Sequence, residues 1–271
     1  MLTDRIDGEV MDAADQQLRV ISNFAVGVDN VDVAEATRRK IPVGHTPGIL
    51  TEATADLAWT LLMAAARRIT EGDRYVRAGK WRTWEPQLLL GAAVHGATLG
   101  IVGFGRIGRA VARRAKGFDM RVLYSSRSEM ADSEGATRVE LPELLRESDF
   151  VSIHVPLNAE THHLFGAAAF GQMKRGAILV NTARGPVVDP VALYDALASG
   201  HLGGTALDVT EPEPLPADHP LLRLANCIVV PHLGSATSAT RDRMARMAAE
   251  NLLAGVSGQR LPYCVNPEVY G

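Results

Sequence analysis

The 271-residue chain is poor in cysteine: Cys227 and Cys264 are the only two, with no CxxC spacing and no histidine cluster beside either. That excludes a disulfide framework and a cysteine-ligated metal centre, and it makes a reducing cytoplasm the expected compartment. Net charge is nearly absent too. Twenty-eight Lys and Arg against 31 Asp and Glu leave −3, so no bulk attraction draws nucleic acid or an anionic membrane to it. Long apolar runs are missing. The most apolar stretch, ADLAWTLLMAAARRI over 55–69, is too short to span a bilayer and ends on Arg67–Arg68, so it reads as a buried packing helix. The opening MLTDRIDGEV has neither a basic n-region nor an apolar h-region, which excludes a signal peptide over those residues. Low-complexity segments and repeats of solenoid period are absent as well.

What the chain does have is glycine, 25 of them, and short apolar runs that alternate with helical spacing. TLGIVGFG (98–105), MRVLYS (120–125), FVSIHVP (150–156), AILVNTA (177–183), GTALDV (204–209) and CIVVPH (227–232) read as strands. RIGRAVARRAKGF, LPELLRES (141–148), a segment around 166–174 and PVALYDALASG (190–200) read as the helices between them. Strands and helices alternating at this spacing predict an α/β fold with a doubly wound parallel (Rossmann) sheet. The strand runs are continuous rather than alternating, as expected where both faces are buried. The flanks differ: a short helix, a strand at LRVISNF (18–24), a helix over 32–39, a weak strand at IPVGH and a helix over 236–255 predict a second, smaller domain. The expected boundaries are 1–45 and 238–271 for that domain and 46–237 for the nucleotide domain.

GFGRIG places Gly103, Phe104, Gly105, Arg106, Ile107 and Gly108 in the GxGxxG spacing between a strand and a helix. The first glycine permits the tight turn, the second lets backbone approach a pyrophosphate, and the third lets helix pack on strand. About 20 residues further on, an NAD site places an acid on the ribose hydroxyl. Here that position reads SSRS. An acid would repel a 2′-phosphate, whereas Ser126, Arg127 and Ser128 would hold one through charge-assisted bonds, so NADP(H) is the expected cofactor with NAD(H) second.

Three polar residues fall at ends of later strands: Arg184 after LVNTA, Glu213 after LDVTEP, and His232 ending CIVVP. Ligands of open α/β sheets bind outside the carboxyl ends of the strands, so the three can converge. Together they suit reduction of a 2-keto acid. Arg184 would bind the carboxylate and polarise the ketone, His232 would supply the proton, and Glu213 would orient the imidazolium. Each alone has a bland reading as a surface cation, a loop acid or a strand-end polar group. His154 reads as a packed or cofactor-lining residue; His45 reads as structural, and His95, His162, His163 and His201 as loop residues.

The stretches NFAVGVDNVDV, HTPGILTEATADLAWTLLMAAARR, TLGIVGFGRIG, ILVNTARGPVVD, ALDVTEPEPLP and VVPHLGSAT resemble the D-isomer-specific 2-hydroxyacid dehydrogenases, in particular their glyoxylate/hydroxypyruvate reductase branch, over essentially the whole chain. The resemblance implies the catalytic roles just given to Arg184, Glu213 and His232. It also implies that Asp208 holds the nicotinamide carboxamide, that Thr182 and Ala183 line the same ring, and that Gly234 belongs to the cofactor site. The Val26 and Gly27 amides would cradle the substrate carboxylate. The stretch 79–91, with Trp81 and Trp84, resembles the arm through which subunits of this branch embrace as homodimers, and Ser126–Arg127 stands where NADPH-preferring members carry a Ser-Arg pair. Against the family pattern the chain begins inside the substrate domain, so that domain is expected as an incomplete flavodoxin-like α/β unit with about two strands, marginal as a sheet. Two rivals remain: an NAD-linked D-2-hydroxyacid dehydrogenase, and a non-catalytic truncated or corepressor-like dinucleotide-binding protein.

Overall fold

The computed structural model describes residues 4–14, 17–129 and 132–271; positions 1–3 of the first expected segment lie outside the described residues. The chain forms two units, Met1–Ala53 with Ser235–Gly271, and Thr54–Gly234. The crossings thus fall at 53/54 and 234/235, beside sequence boundaries drawn at 45/46 and 237/238.

The first unit contains α1 (Gly8–Ala14), β1 (Ile21–Ser22), α2 (Val33–Arg38) and β2 (Val43–Gly44). The strand expected over 18–24 is reduced to two residues, because only Val43 and Gly44 lie alongside in parallel to complete the ladder. Its core gathers Met11, Val31, Ala36, Ile41 and Val43. Two fully buried asparagines tie the C-terminal segment to this small sheet. Asn251 donates to the His45 carbonyl at 3.0 Å and accepts from Tyr263 N–H at 3.0 Å. Asn266 accepts from Val43 N–H at 2.8 Å and donates to the Ile41 carbonyl and to Thr37 Oγ1 at 3.0 and 2.9 Å. Side-chain amides thereby satisfy backbone groups that a further strand would otherwise pair.

The chain then runs through α3 (Thr51–Ala66) and α4 (Ile69–Arg77) to β3 (Thr98–Val102), α5 (Arg106–Ala115), β4 (Arg121–Ser125), β5 (Thr137–Arg138) and α6 (Leu141–Glu147). It continues with β6 (Phe150–Ile153), α7 (Ala167–Gln172), β7 (Ile178–Asn181), α8 (Pro190–Ala198), β8 (Gly204–Leu207), β9 (Cys227–Val229) and α9 (Ser238–Val256). The helix read over 55–69 is two, because Arg68 takes a left-handed φ of 51° between α3 and α4. The seven-stranded sheet has the order β5-β4-β3-β6-β7-β8-β9 and is parallel throughout. This is an α/β Rossmann-like fold.

Period-two alternation sorts its strand residues onto two cores. Leu99, Ile101, Tyr124, Phe150 and Val180 pack with Ala58, Leu62 and Val111 of α3 and α5. Val102, Leu123, Val151, Ile153 and Leu179 pack with Leu144, Phe170 and Leu193 of α6, α7 and α8. Both faces are therefore covered, as continuous apolar strands require. The strand order reverses between β3 and β6, which places a ligand crevice outside their carboxyl ends. Among the described residues no helix is long and apolar enough to cross a membrane.

The Asn266 side chain supplies a direct stability test. Asn266→Ala leaves the buried Val43 N–H and Ile41 carbonyl unpaired and should cost about 2–4 kcal/mol. Urea unfolding of the variant beside the wild type measures it.

Candidate active site

The fingerprint loop joins β3 to α5 with geometry only glycine supplies. Gly103 has φ +94°, and a Cβ there would lie 2.6 Å from the His154 carbonyl carbon. A Cβ on Gly108 would overlap the Gly103 carbonyl oxygen, so helix and strand approach backbone to backbone. Gly105 is the N-cap of α5 and brings no capping side chain, which leaves the first-turn N–H groups available to an anion. A Cβ on Gly105 would meet nothing within 4 Å, so space lies beside this backbone. Phe104 differs from its neighbours: its ring is 2% exposed and stacks on Tyr124 with centroids 4.0 Å apart. Only its backbone can meet a ligand. Arg106 is exposed and Ile107 half-buried.

The turn after β4 holds Ser126, Arg127 and Ser128. Ser126 Oγ donates to the Ser128 carbonyl and shapes the turn. Arg127 and Ser128 are exposed, and Arg127 has no acceptor among the described residues.

At the far strands the catalytic candidates converge within the second unit. The β7 terminus carries Thr182, Ala183 and Arg184. Thr182 Oγ1 is buried with no hydrogen-bond partner among the described residues, an orphan of the kind a bound ligand satisfies. Asn181 braces the turn, donating to the Arg184 carbonyl at 2.9 Å and accepting from Ala183 N–H at 3.0 Å. Glu213 Oε1 lies 2.7 Å from His232 Nδ1. Burial pushes the Glu213 carboxyl up, but the His232 hydrogen bond and the charges of His232 and Arg184 outweigh it and hold it below the usual carboxylate range.

His232 is fixed through its backbone. Its φ is +53°, a left-handed value uncommon outside glycine. Its N–H donates to the Asp208 carbonyl at 3.0 Å, while the Asp208 carboxylate accepts from Leu233 N–H and, at 2.9 Å, from Gly234 N–H. Asp208 is 2% exposed, and burial raises its carboxyl above the ordinary value although both amides and the His232 charge pull it down. The family resemblance implies a cofactor role for Asp208; its grip on the turn after His232 is legible only in three dimensions.

Val26 and Gly27 belong to the first unit. Their carbonyls accept from other groups, His45 Nδ1 lying 3.1 Å from Val26 O and Asn23 Nδ2 donating to Gly27 O at 2.9 Å. Their N–H groups have no acceptor among the described residues, as an anion-holding turn requires.

Other histidines serve locally. His154 Nε2 lies 2.8 Å from Ser152 Oγ, and burial lowers its imidazolium to about 4, which keeps the ring neutral. His163 Nε2 lies 2.6 Å from Glu211 Oε2, a partnership that reading it as a loop residue misses. His162, His163 and Glu211 have potential ligand atoms within 4.8 Å of one another. The two rings stack 4.0 Å apart at 27°, however, and near-parallel rings cannot aim their in-plane lone pairs at one ion. Burial raises the Cys227 thiol to about 12, which leaves it unreactive.

The glycine cradle, the bare N-terminus of α5 and the orphaned Thr182 hydroxyl fit a dinucleotide. Comparisons with known proteins agree. Residues 59–234 match the model of the D-isomer specific 2-hydroxyacid dehydrogenase, NAD binding domain. A glyoxylate reductase of Korarchaeum cryptofilum is 58% identical over 273 residues, 99% of this chain and 82% of that protein. Among solved structures, a Thermus thermophilus protein is 55% identical with a TM-score of 0.91, covering 97% of this chain and 83% of that one. An NADPH-dependent glyoxylate/hydroxypyruvate reductase of Sinorhizobium meliloti, in complex with NADP and malonate, is 33% identical with a TM-score of 0.89, covering 97% and 82%. The matching cofactor domain takes a nicotinamide dinucleotide, and the chain belongs to the D-isomer specific 2-hydroxyacid dehydrogenases.

Proposed function

We propose that the protein reduces small 2-keto acids, glyoxylate and hydroxypyruvate first among them, to 2-hydroxy acids with NADPH. The observation that carries this reading is the 2.7 Å Glu213–His232 pair, held at strand ends in the same unit as the dinucleotide cradle and within charge range of Arg184. The glyoxylate reductase relatives supply the substrate class.

The cofactor, when bound against the Gly103–Gly108 loop, supplies the hydride. Arg184 binds the substrate carboxylate and draws electron density toward the ketone oxygen. The Val26–Gly27 turn offers N–H donors suited to the same carboxylate chemistry. His232, oriented through Nδ1 by Glu213, donates its Nε2 proton to the oxygen as the alcohol forms. Thr182, Ala183, Asp208 and Gly234 would line the nicotinamide end. The Ser126–Arg127–Ser128 turn would take the 2′-phosphate. We also propose a homodimer formed through the 79–91 arm, whose Trp81 and Trp84 are 60% and 79% exposed.

Several measurements test these assignments. NADPH and NADH oxidation should be followed with glyoxylate, hydroxypyruvate and pyruvate; the expected ranking puts NADPH with glyoxylate or hydroxypyruvate first, and cofactor binding without turnover would favour a scaffold. Arg127→Ala should weaken NADPH use about 10- to 100-fold through loss of a charged hydrogen bond, leaving NADH use nearly unchanged. An equal loss for both cofactors would refute the clamp.

His232→Ala should abolish reduction while cofactor binding persists. Glu213 has a depressed carboxyl, so the interaction that keeps it ionised is in place above the ordinary Glu range and is lost as pH falls through the depressed value. Glu213→Gln removes that anion and should cut turnover about tenfold at neutral pH while cofactor binding persists. Turnover equal to that of the wild type would show that Glu213 does not orient the His232 imidazole.

Replacing Trp81 and Trp84 together by serine should convert dimer to monomer in light scattering. A wild-type monomer would remove the dimer proposal.

A further inference from the structure

The turn proposed to hold the 2′-phosphate is weaker in charge than its Ser-Arg-Ser reading suggests. Arg127 is followed two residues later by Glu129, so the turn from Ser126 to Glu129 is electrically neutral. A phosphate monoester near neutral pH carries most of two negative charges. One guanidinium partly cancelled by a nearby carboxylate is a poor match for it.

The fold brings a second guanidinium to the same place. The two-residue strand β5, which the sequence does not announce, pairs parallel with the outer edge of β4, Leu123 opposite Thr137 and Tyr124 opposite Arg138. Val139 N–H donates to the Tyr124 carbonyl at 3.0 Å and secures the register. Arg138 then reaches forward to the Ser126 carbonyl, with Nη2 at 3.1 Å and Nε at 3.4 Å. Those bonds use two of the five guanidinium N–H groups. The others have no acceptor among the described residues, and Arg138 is exposed. The neighbouring acid Glu134 is already committed to Arg113 and Lys116 at 3.1 and 3.0 Å. Near the turn, then, among the described residues, Arg127 and Arg138 both keep uncommitted N–H donors.

We propose that Arg138 is a specificity-determining residue of the cofactor site, the second cation that binds the 2′-phosphate of the adenosine ribose beside Arg127. The assignment rests on the NADPH reading above. Anchoring by the Ser126 carbonyl holds the planar group at the turn, so little side-chain entropy is lost when the remaining donors meet phosphate oxygens. Toward a ribose with a free 2′-hydroxyl, Arg138 has no charge to meet.

The test is binding to the intact protein, independent of turnover. Dissociation constants for NADPH and NADH are measured by fluorescence, with competition by 2′-AMP and 5′-AMP, for wild type, Arg138→Ala, Arg138→Lys and Arg127→Ala. Arg138→Ala should weaken NADPH and 2′-AMP about 5- to 30-fold while NADH and 5′-AMP change less than about twofold. Arg138→Lys should restore part of the loss, since it returns the charge without the fork. Equal weakening of all four ligands would mean that Arg138 only shapes the turn, and an unchanged affinity would mean it has no part; either overturns the proposal. If Arg127→Ala loses 2′-phosphate discrimination and Arg138→Ala does not, the NADPH reading stands and this inference fails. If the wild type does not distinguish 2′-AMP from 5′-AMP, the NADPH reading itself fails, and this inference with it.

Discussion

The site depends on what the Asp208 residue does with its backbone and its carboxylate at once. Its carbonyl takes the His232 N–H, and its carboxylate takes the next two N–H groups along the chain. Three successive amides are thereby gathered onto one buried residue, and His232 is held at φ +53°. A left-handed conformation at a non-glycine residue costs roughly 1–3 kcal/mol and persists only where surrounding contacts over-determine it. Here those contacts are the bond from His232 N–H to the Asp208 carbonyl and the charge-assisted bonds of the next two amides to a carboxylate with almost no exposure to water. Without them the β9 terminus would relax, and the proposed proton donor would lose its fixed place relative to Glu213.

The two acids of this region are driven in opposite directions by their surroundings. Asp208 is raised, burial outweighing the amides that stabilise its anion. Glu213 is lowered, because the hydrogen bond and charge of His232, with Arg184 behind them, outweigh its own burial. Separation of neighbouring acids by environment is how one site assigns different tasks to the same functional group. Glu213 remains the anion that faces the imidazole. Asp208 is the buried brace, meeting His232 both through its backbone carbonyl and through charge.

Much of this was legible in the sequence because it depends on local rules. Continuous apolar runs alternating with helical segments predict the parallel sheet, and the strand-end rule lets Arg184, Glu213 and His232 converge. Gly103 was legible because only glycine tolerates its φ and its approach to His154. What could not be read was set by register or by side chains reaching across the chain. The Arg138–Ser126 contact requires a two-residue edge strand too short to leave a periodic signal. The strand at LRVISNF was overextended because periodicity reports a strand's apolar face, whereas strand length depends on what pairs alongside. Asn251 and Asn266 are unremarkable in the sequence, yet each is fully buried and satisfies backbone from another segment.

The loops bearing Arg184 and Glu213 are not independent of each other. Gly185 lies so close to Thr210 that a Cβ there would overlap the Thr210 carbonyl, so the two backbones are in direct contact. His163 also joins the same two loops. Its N–H donates to the Pro186 carbonyl at 2.8 Å, two residues beyond Arg184, and its imidazole meets Glu211, two residues before Glu213. Thr210 Oγ1 closes the second loop onto the Pro212 carbonyl at 2.8 Å. A loop fixed at several points loses little conformational entropy on binding, because most was lost in folding. The Arg184 guanidinium proposed to hold carboxylate and the Glu213 carboxylate that meets His232 thus stand on loops fixed to each other by backbone packing before any substrate arrives, as pre-organised catalysis requires.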